Sequence, residues 1–131
     1  MAQPLLMVHD IDPAKDLFKR IGKLDSFKLT GDQVLLGVYM RPEKTKSGII
    51  LTDNTRKEDE HQGKAGLILL KGPTAFKYDG NYGFEGAAPE IGDWVAVWVV
   101  DGRKITINGV LCRIVSSEQV RMVIPAPDVV F

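Results

Sequence analysis

The pattern of apolar and polar positions divides the chain into a short helical start and a longer remainder rich in strands. Within residues 1–30, apolar side chains recur at helical spacing at Leu17, Phe18, Ile21 and Leu24. Asp12 is a suitable N-cap for this helix, Pro13 suits its first turn, and Gly22 suits its end. We therefore predict a short helix in an N-terminal extension.

From Asp32 onward the pattern changes to short runs of β-forming residues, at positions 34–40, 65–70, 94–100, 103–107, 110–115 and 120–124. Asp101-Gly102 and Asn108-Gly109 accept the positive φ values of two-residue type I′ turns, so each predicts a hairpin between the runs beside it. Ser116 and Gln119 have the spacing of a capping box and predict one helical turn. This pattern is typical of an all-β fold, a small, partly open β-barrel.

Composition limits the classes of function. At 131 residues the chain is long enough for one domain, and its 17 basic and 17 acidic residues cancel. A neutral chain has no global field that favours nucleic acid or an anionic membrane, so we expect neither partner. The one cysteine, Cys112, indicates a reducing compartment. Asp10 and Asp12 come too early for a secretory signal, and no apolar run is long enough for a membrane helix, so we expect a cytoplasmic protein.

The side chains that carry catalytic chemistry are few and scattered. His9 and His61 are far apart in the sequence, and neither has a cysteine at metal-binding spacing. Cys112 alternates with its neighbours in a strand run and is better explained as a buried thiol than as a nucleophile. We therefore expect no active site, no metal and no cofactor, and hence no enzyme.

Trp94 lies two positions before Ala96 and Trp98 two positions after it, so both tryptophans fall on the same face of the predicted strand. Such a pair is able to form a stacking platform for single-stranded nucleic acid. The alternative is barrel core or a subunit interface, where aromatic residues are also enriched. The absence of net positive charge favours the second interpretation.

Residues 72–89 form a long aromatic excursion. Phe76 and Tyr78 mirror Tyr82 and Phe84 around a central Asp-Gly-Asn turn sequence. This symmetry predicts a hairpin arm with cross-strand aromatic pairs. The arm is either a plain surface hairpin or a contact to another subunit or a ligand.

The segment 41–63 is polar and rich in turn residues, except for the aliphatic triplet Ile49, Ile50 and Leu51. The triplet either forms a short strand that covers one end of the barrel or anchors the segment to a partner. A buried aliphatic side chain contributes about 1.5–3 kcal/mol, whereas ordering the chain costs about 1–2 kcal/mol per residue. One such anchor binds weakly, but several copies on an oligomer bind well through avidity.

The order of these features resembles the GroES-type co-chaperonins over residues 29–124. The matching stretches are Leu29-Thr30-Gly31-Asp32-Gln33-Val34, Lys44-Thr45-Lys46-Ser47-Gly48-Ile49-Ile50-Leu51-Thr52, Gln62-Gly63-Lys64, Ile91-Gly92-Asp93-Trp94-Val95, Ile107-Asn108-Gly109-Val110-Leu111-Cys112-Arg113-Ile114-Val115 and Ser117-Glu118-Gln119-Val120. Each stretch alone is a weak match to the family, but all of them occur in the family's order and spacing.

The resemblance implies a homoheptameric ring that caps a GroEL-type chaperonin, with the ATP bound and hydrolysed by that partner. Residues 41–62, hereafter the loop segment, correspond to the family's mobile loop, and Gly48, Ile49, Ile50 and Leu51 are the implied chaperonin-binding residues. Residues 72–89, hereafter the roof segment, correspond to its roof hairpin. The final strand, 120–124, is implied to pair with residues 33–40 of a neighbouring subunit.

Two departures from the family suggest a divergent, phage-encoded member. One glycine, Gly48, precedes the triplet where the family has two, and the extension 1–30 and the tail 126–131 flank the barrel domain, 31–125, without a counterpart in short bacterial forms. The alternative is a structural protein that reuses the barrel, such as a decoration or cement subunit of a phage capsid. In that case the extension and tail would be arms that strap neighbouring subunits.

Overall fold

One antiparallel sheet dominates the computed structural model, which describes residues 9, 11–40, 50, 64–76 and 88–129. Within these ranges the elements are α1 (Pro13–Ile21), β1 (Gln33–Val38), β2 (Ala65–Lys71), β3 (Trp94–Ala96), β4 (Arg103–Ile107), β5 (Val110–Ser116) and β6 (Met122–Ile124), with 3₁₀ turns at Ser117–Gln119 and Pro127–Val129. None of the described helices has the length and apolarity needed to cross a membrane.

The sheet has six strands in the order β4-β5-β1-β2-β3-β6 and is not closed on itself. Its two edges among the described residues are β4 and β6. The predicted fold class, a small all-β barrel that is partly open and preceded by a short helix, is therefore confirmed.

Helix α1 begins and ends where the capping residues predict. The carboxylate of Asp12 accepts a hydrogen bond from the backbone N–H of Lys15 at 3.1 Å, and Gly22 ends the helix with a φ of 74°. Leu17 is only 3 % exposed, whereas Phe18 is 36 % exposed. The predicted apolar stripe is thus too wide, because Phe18 lies at the margin of the face that meets the sheet.

Both faces of the central strands of the sheet are buried, since neighbouring residues on one strand join two different apolar clusters. The first cluster contains Leu35, Leu67 and Cys112 with the helix residues Leu17 and Ile21. The second cluster contains residues from the opposite face of the same strands, together with Ala75, Phe76 and Val97 from outside the strands. Its strand residues are Val34, Leu36, Ile68, Val95 and Val115. This explains why the strands appear in the sequence as continuous apolar runs.

Helix α1 and the C-terminal 3₁₀ turn pack on this chain's own sheet. A Cβ added to Gly37 of β1 would lie 3.3 Å from Leu17 Cδ1, which shows how closely the helix approaches the strand. Val129 packs against the same first cluster. The described parts of the extension and the tail thus place apolar side chains on the chain's own sheet, and their role as arms for neighbouring subunits stays a hypothesis.

One predicted hairpin is confirmed and the other is wrong. Asn108 and Gly109 have φ values of 50° and 80° and join β4 to β5, where Ile107 pairs with Val110. Asp101-Gly102, in contrast, joins two strands that do not pair: β3 lies between β2 and β6, and β4 lies at the far edge beside β5. The chain turns at residues 98–101 and crosses over, so β3 stops at Ala96 rather than at residue 100.

The predicted pairing of residues 33–40 with a neighbouring subunit's final strand is also wrong for β1. Both sides of β1 are occupied within the chain, by β2 on one side and β5 on the other. The final strand itself, β6, pairs with β3 through Trp94–Ile124, Val95–Val123 and Ala96–Met122. A strand has only two edges, so no neighbour can add to β1.

Candidate functional site

The loop segment leaves and re-enters the sheet at adjacent strands. Its base is closed by a backbone hydrogen bond from Tyr39 N–H to the carbonyl of Ala65, at 3.3 Å. Of the four predicted chaperonin-binding residues, the structure describes Ile50, whose side chain is 66 % exposed. Gly48, Ile49 and Leu51 lie outside the described residues.

The strand end that leads into the loop segment is held by aromatic and polar contacts. Tyr39 packs edge-on against Trp94, with ring centroids 5.7 Å apart, and its hydroxyl is 2.7 Å from His9 Nε2. A cleft of about 230 Å³ lies here between helix α1 and the end of β1, with Ile11 and Met40 in its wall. His9, which the sequence left without a role, thus joins the extension to the root of the loop segment.

The roof segment is described only at its two ends, and its aromatic residues do not behave alike. Phe76 is buried in the second cluster, at a φ of 59° within a turn. Its backbone N–H donates to the hydroxyl of Ser117 at 3.0 Å, and that hydroxyl lies 2.9 Å from the carbonyl of Asp32. Phe76 is therefore a core residue, and its predicted cross-strand pairing stays a prediction. Tyr78, Tyr82 and Phe84 lie outside the described residues.

The two tryptophans do not form one surface. Trp94 is buried in the first cluster, whereas Trp98 lies beyond the end of β3 and is 55 % exposed. The guanidinium of Arg121 lies 5.5 Å from the centre of the Trp98 ring. A stacking platform that uses both indoles is therefore excluded by the geometry.

Sequence reasoning missed a buried cluster of charged residues beside Trp98. Asp101 and Arg113 are both buried, and Arg121 Nη2 lies 3.5 Å from Asp101 Oδ2. Burial lowers the pKa of Arg113, and the Asp101 carboxylate opposes that effect. The sequence feature that could have revealed this cluster is the position of Arg113 between Cys112 and Val115, because a charged residue in such an apolar strand requires a partner.

Cys112 is fully buried, as predicted. Burial raises the pKa of its thiol from the ordinary value of 9.0 to about 11, and a backbone hydrogen bond opposes this shift. Such a thiol is inert as a nucleophile at neutral pH because the thiolate is the reactive form. Within the described ranges, no three histidine, cysteine or acidic side chains come together in a way that would hold a metal ion.

The chain is 33 % identical over 101 residues to the co-chaperonin GroES of Halothermothrix orenii, and the match covers 76 % of this chain and 97 % of that protein. The chain belongs to the GroES family. No protein-family model matches it. As a GroES-family member it is divergent, and roughly a quarter of its length lies outside the aligned stretch.

Proposed function

We propose that this GroES-family chain is a co-chaperonin that forms a ring of seven copies and caps a GroEL-type chaperonin loaded with ATP. The exposed side chain of Ile50, on a loop segment whose base is closed by the backbone hydrogen bond from Tyr39 to Ala65, is the observation that carries this proposal. Among the described residues, Ile50 belongs to neither buried cluster, and an isoleucine exposed on a polar segment fits a site on another protein.

Gly48, Ile49, Ile50 and Leu51 are the proposed docking residues. Each aliphatic side chain that becomes buried on the partner contributes about 1.5–3 kcal/mol, and ordering the segment offsets much of that gain. One copy therefore binds weakly. Seven copies held in a ring act together, because after the first loop segment docks the others bind at a high effective concentration.

The sheet supports a specific way to build the ring. The outer edge of β6 pairs with no other strand among the described residues, so its backbone groups are open to a neighbour. Because β1 has no free edge, we propose that the neighbour contributes the stretch ahead of β1, residues 27–30, which lies outside the sheet and contains the exposed Phe27. Each subunit then pairs its β6 edge with residues 27–30 of one neighbour, and its own residues 27–30 pair with β6 of the other neighbour. Repetition of this contact closes a ring.

In this mechanism the chain itself catalyses no reaction. Docking of the loop segments on the chaperonin displaces substrate from apolar sites and closes a chamber around it. The partner binds and hydrolyses the ATP, and the co-chaperonin acts through the free energy of docking.

The test compares the wild type with Ile50→Asp in mixtures with a GroEL-type chaperonin and ATP. Complex formation is measured by sedimentation and the ATPase rate by phosphate release. We expect the wild type to form a complex and to alter the ATPase rate, and Ile50→Asp to lose both, because a carboxylate cannot be buried in an apolar groove without a large penalty.

Ile91→Asp is the matched control, because Ile91 is also an exposed isoleucine in a turn but lies away from the loop segment. It should bind like the wild type. If the wild type forms no complex and leaves the ATPase rate unchanged, the proposed function is wrong. If Ile50→Asp binds as well as Ile91→Asp, the docking residues are wrong.

A further inference from the structure

A rigid turn at residues 98–101 presents apolar side chains to solvent. Val100 at its tip is 87 % exposed, and Trp98 and Val99 beside it are also exposed. Single exposed apolar residues are common, but three in succession at the tip of a turn form a compact patch that water solvates poorly.

Several contacts fix this turn in one shape. The N–H of Trp98 donates to Asp101 Oδ2 at 3.0 Å, and the N–H of Asp101 donates to the carbonyl of Trp98 at 3.1 Å. Gly102 follows with a φ of 75°, and a Cβ there would collide with the carbonyl oxygen of Ile114. The turn is thus closed on itself and pressed against β5.

The charged residues behind the turn are held at an energetic cost. Arg113 is only 3 % exposed, and its Nη1 donates to the carbonyl of Trp98 at 3.4 Å. Its Nη2 is buried and has no hydrogen-bond partner among the described residues. Removing charged groups from water is unfavourable, and an unsatisfied donor adds to that cost. The main result of this arrangement is a fixed shape for a solvent-exposed apolar turn, which is the property of a preorganised contact surface.

The turn lies at the end of the barrel from which the loop segment leaves. The N–H of Val97, one residue before the turn, donates to the carbonyl of Lys64 at 2.9 Å, and Ala96 pairs with Ala65. The roof segment begins at the opposite end of β2, where the N–H of Gly72 bonds to the carbonyl of Gln33. A partner that takes the loop segment therefore approaches the 98–101 turn and not the roof.

We propose that Trp98, Val99 and Val100 form a second, rigid contact with the same chaperonin that takes the loop segment. This inference rests on the proposed function and adds to it a fixed contact beside the proposed docking residues. Because the chain returns from the loop segment at Lys64, beside Val97, docking of the loop segment would bring the turn to the partner's rim.

The charges beside the turn define the chemistry of the partner surface. Arg113 and Arg121 together carry two positive charges against the single carboxylate of Asp101, and Arg121 is the exposed member, lying over Trp98. The complementary surface is an apolar patch flanked by a carboxylate. Arg121 would pair with that carboxylate while Val99 and Val100 meet the apolar patch.

The experiment uses the full-length chain with the double substitution Val99→Ser and Val100→Ser, which removes methyl groups from exposed positions and leaves the closed turn in place. The control is Ile105→Ser, at an exposed isoleucine of β4 on the other edge of the sheet. Affinity for a GroEL-type chaperonin with ATP and oligomeric state are measured for each protein. We expect the double variant to bind about tenfold more weakly, since two valines lose their burial, and to keep the wild-type oligomeric state. Ile105→Ser should match the wild type in both measurements.

The other outcomes overturn the inference and identify where it fails. If the double variant binds as tightly as the wild type, the turn is not a chaperonin contact, although the proposed function stands. If the double variant falls apart into smaller oligomers, the patch is an interface between copies of this chain. If the wild type itself does not bind, the proposed function and this inference fail together.

Discussion

The side-chain amide of Asn108, at the tip of the β4–β5 hairpin, donates a hydrogen bond to the backbone carbonyl of Ile21, at the end of helix α1. The two atoms are 2.7 Å apart, although the residues are 87 positions apart in the chain. A carbonyl in the last turn of a helix has no partner within the helix, so this contact satisfies it. The same residue, with its φ of 50°, also forms the hairpin turn. Asn108 thus links the extension to the barrel.

Replacing Asn108 by glycine should lower the free energy of unfolding by about 1 kcal/mol, because glycine accepts the turn geometry but loses the hydrogen bond to Ile21. Asn108→Ala should lower the free energy of unfolding by about 1–2 kcal/mol more than Asn108→Gly does, because alanine is strained at a positive φ. Urea unfolding followed by tryptophan fluorescence measures both. Equal stability of Asn108→Gly and the wild type would show that the contact adds nothing in solution.

Leu17 and Phe18 provide a matched pair that tests how firmly helix α1 belongs to the core. Leu17→Ala should destabilise the chain by about 2–5 kcal/mol, because its side chain fills the space over Gly37 and leaves a cavity when removed. Phe18→Ala should cost about 1 kcal/mol or less despite the larger truncation, because Phe18 is partly exposed. Thermal unfolding compares the two. The helix is a dispensable appendage if Leu17→Ala costs no more than Phe18→Ala.

Asp101→Asn should destabilise the chain by about 3 kcal/mol, because it leaves the charge of Arg113 buried without its carboxylate. Adding Arg113→Met should recover much of this loss, since the uncompensated charge is then removed as well. The exposed Asp25→Asn should change stability by less than about 0.5 kcal/mol. A double-mutant cycle by urea unfolding measures the coupling, and additive effects would show that Asp101 and Arg113 do not interact.

The thiol of Cys112 makes a pH-dependent contribution to stability. Burial raises its pKa from 9.0 to about 11, so the folded state keeps the proton where the unfolded state loses it. The stabilising contribution is complete below about pH 9 and is lost as the pH rises toward 11. We expect Cys112→Ala to show a shallower loss of stability over this interval. Alkylation by iodoacetamide at pH 8 should be slow in the native protein and fast in urea, and rapid native alkylation would contradict the burial.

Local signals predicted those parts of the fold that depend on neighbouring residues. The bounds of α1 follow from Asp12 and Gly22, because a cap satisfies backbone groups within one turn. The Asn108-Gly109 hairpin follows in the same way, since its strands are adjacent in sequence and in space. The aliphatic triplet is also a local signal, because its neighbours in the sequence are polar, and its docking role is a proposal.

Asp101-Gly102 shows why local signals were insufficient elsewhere. Its sequence favours the same turn as Asn108-Gly109, yet β3 pairs with β2 and β6 and leaves β4 to β5. The aromatic residues placed symmetrically around residue 80 predicted a hairpin arm, and nothing in the sequence indicated that Phe76 at its start is buried in a cluster formed by distant strands. At Asp101-Gly102 the long-range partners of β3 outweighed the local turn preference.

The sequence by itself determined the caps, the tight turn at 108–109, the all-β class and the order of segments that resembles the GroES family. These depend on backbone geometry and hydrogen bonds within a few residues, which side-chain type controls directly. Only the tertiary structure decided that β1 has no free edge, that the extension covers the chain's own sheet, and that buried charges hold the 98–101 turn. These features depend on which distant strands share a face, and apolar burial over the whole chain decides that.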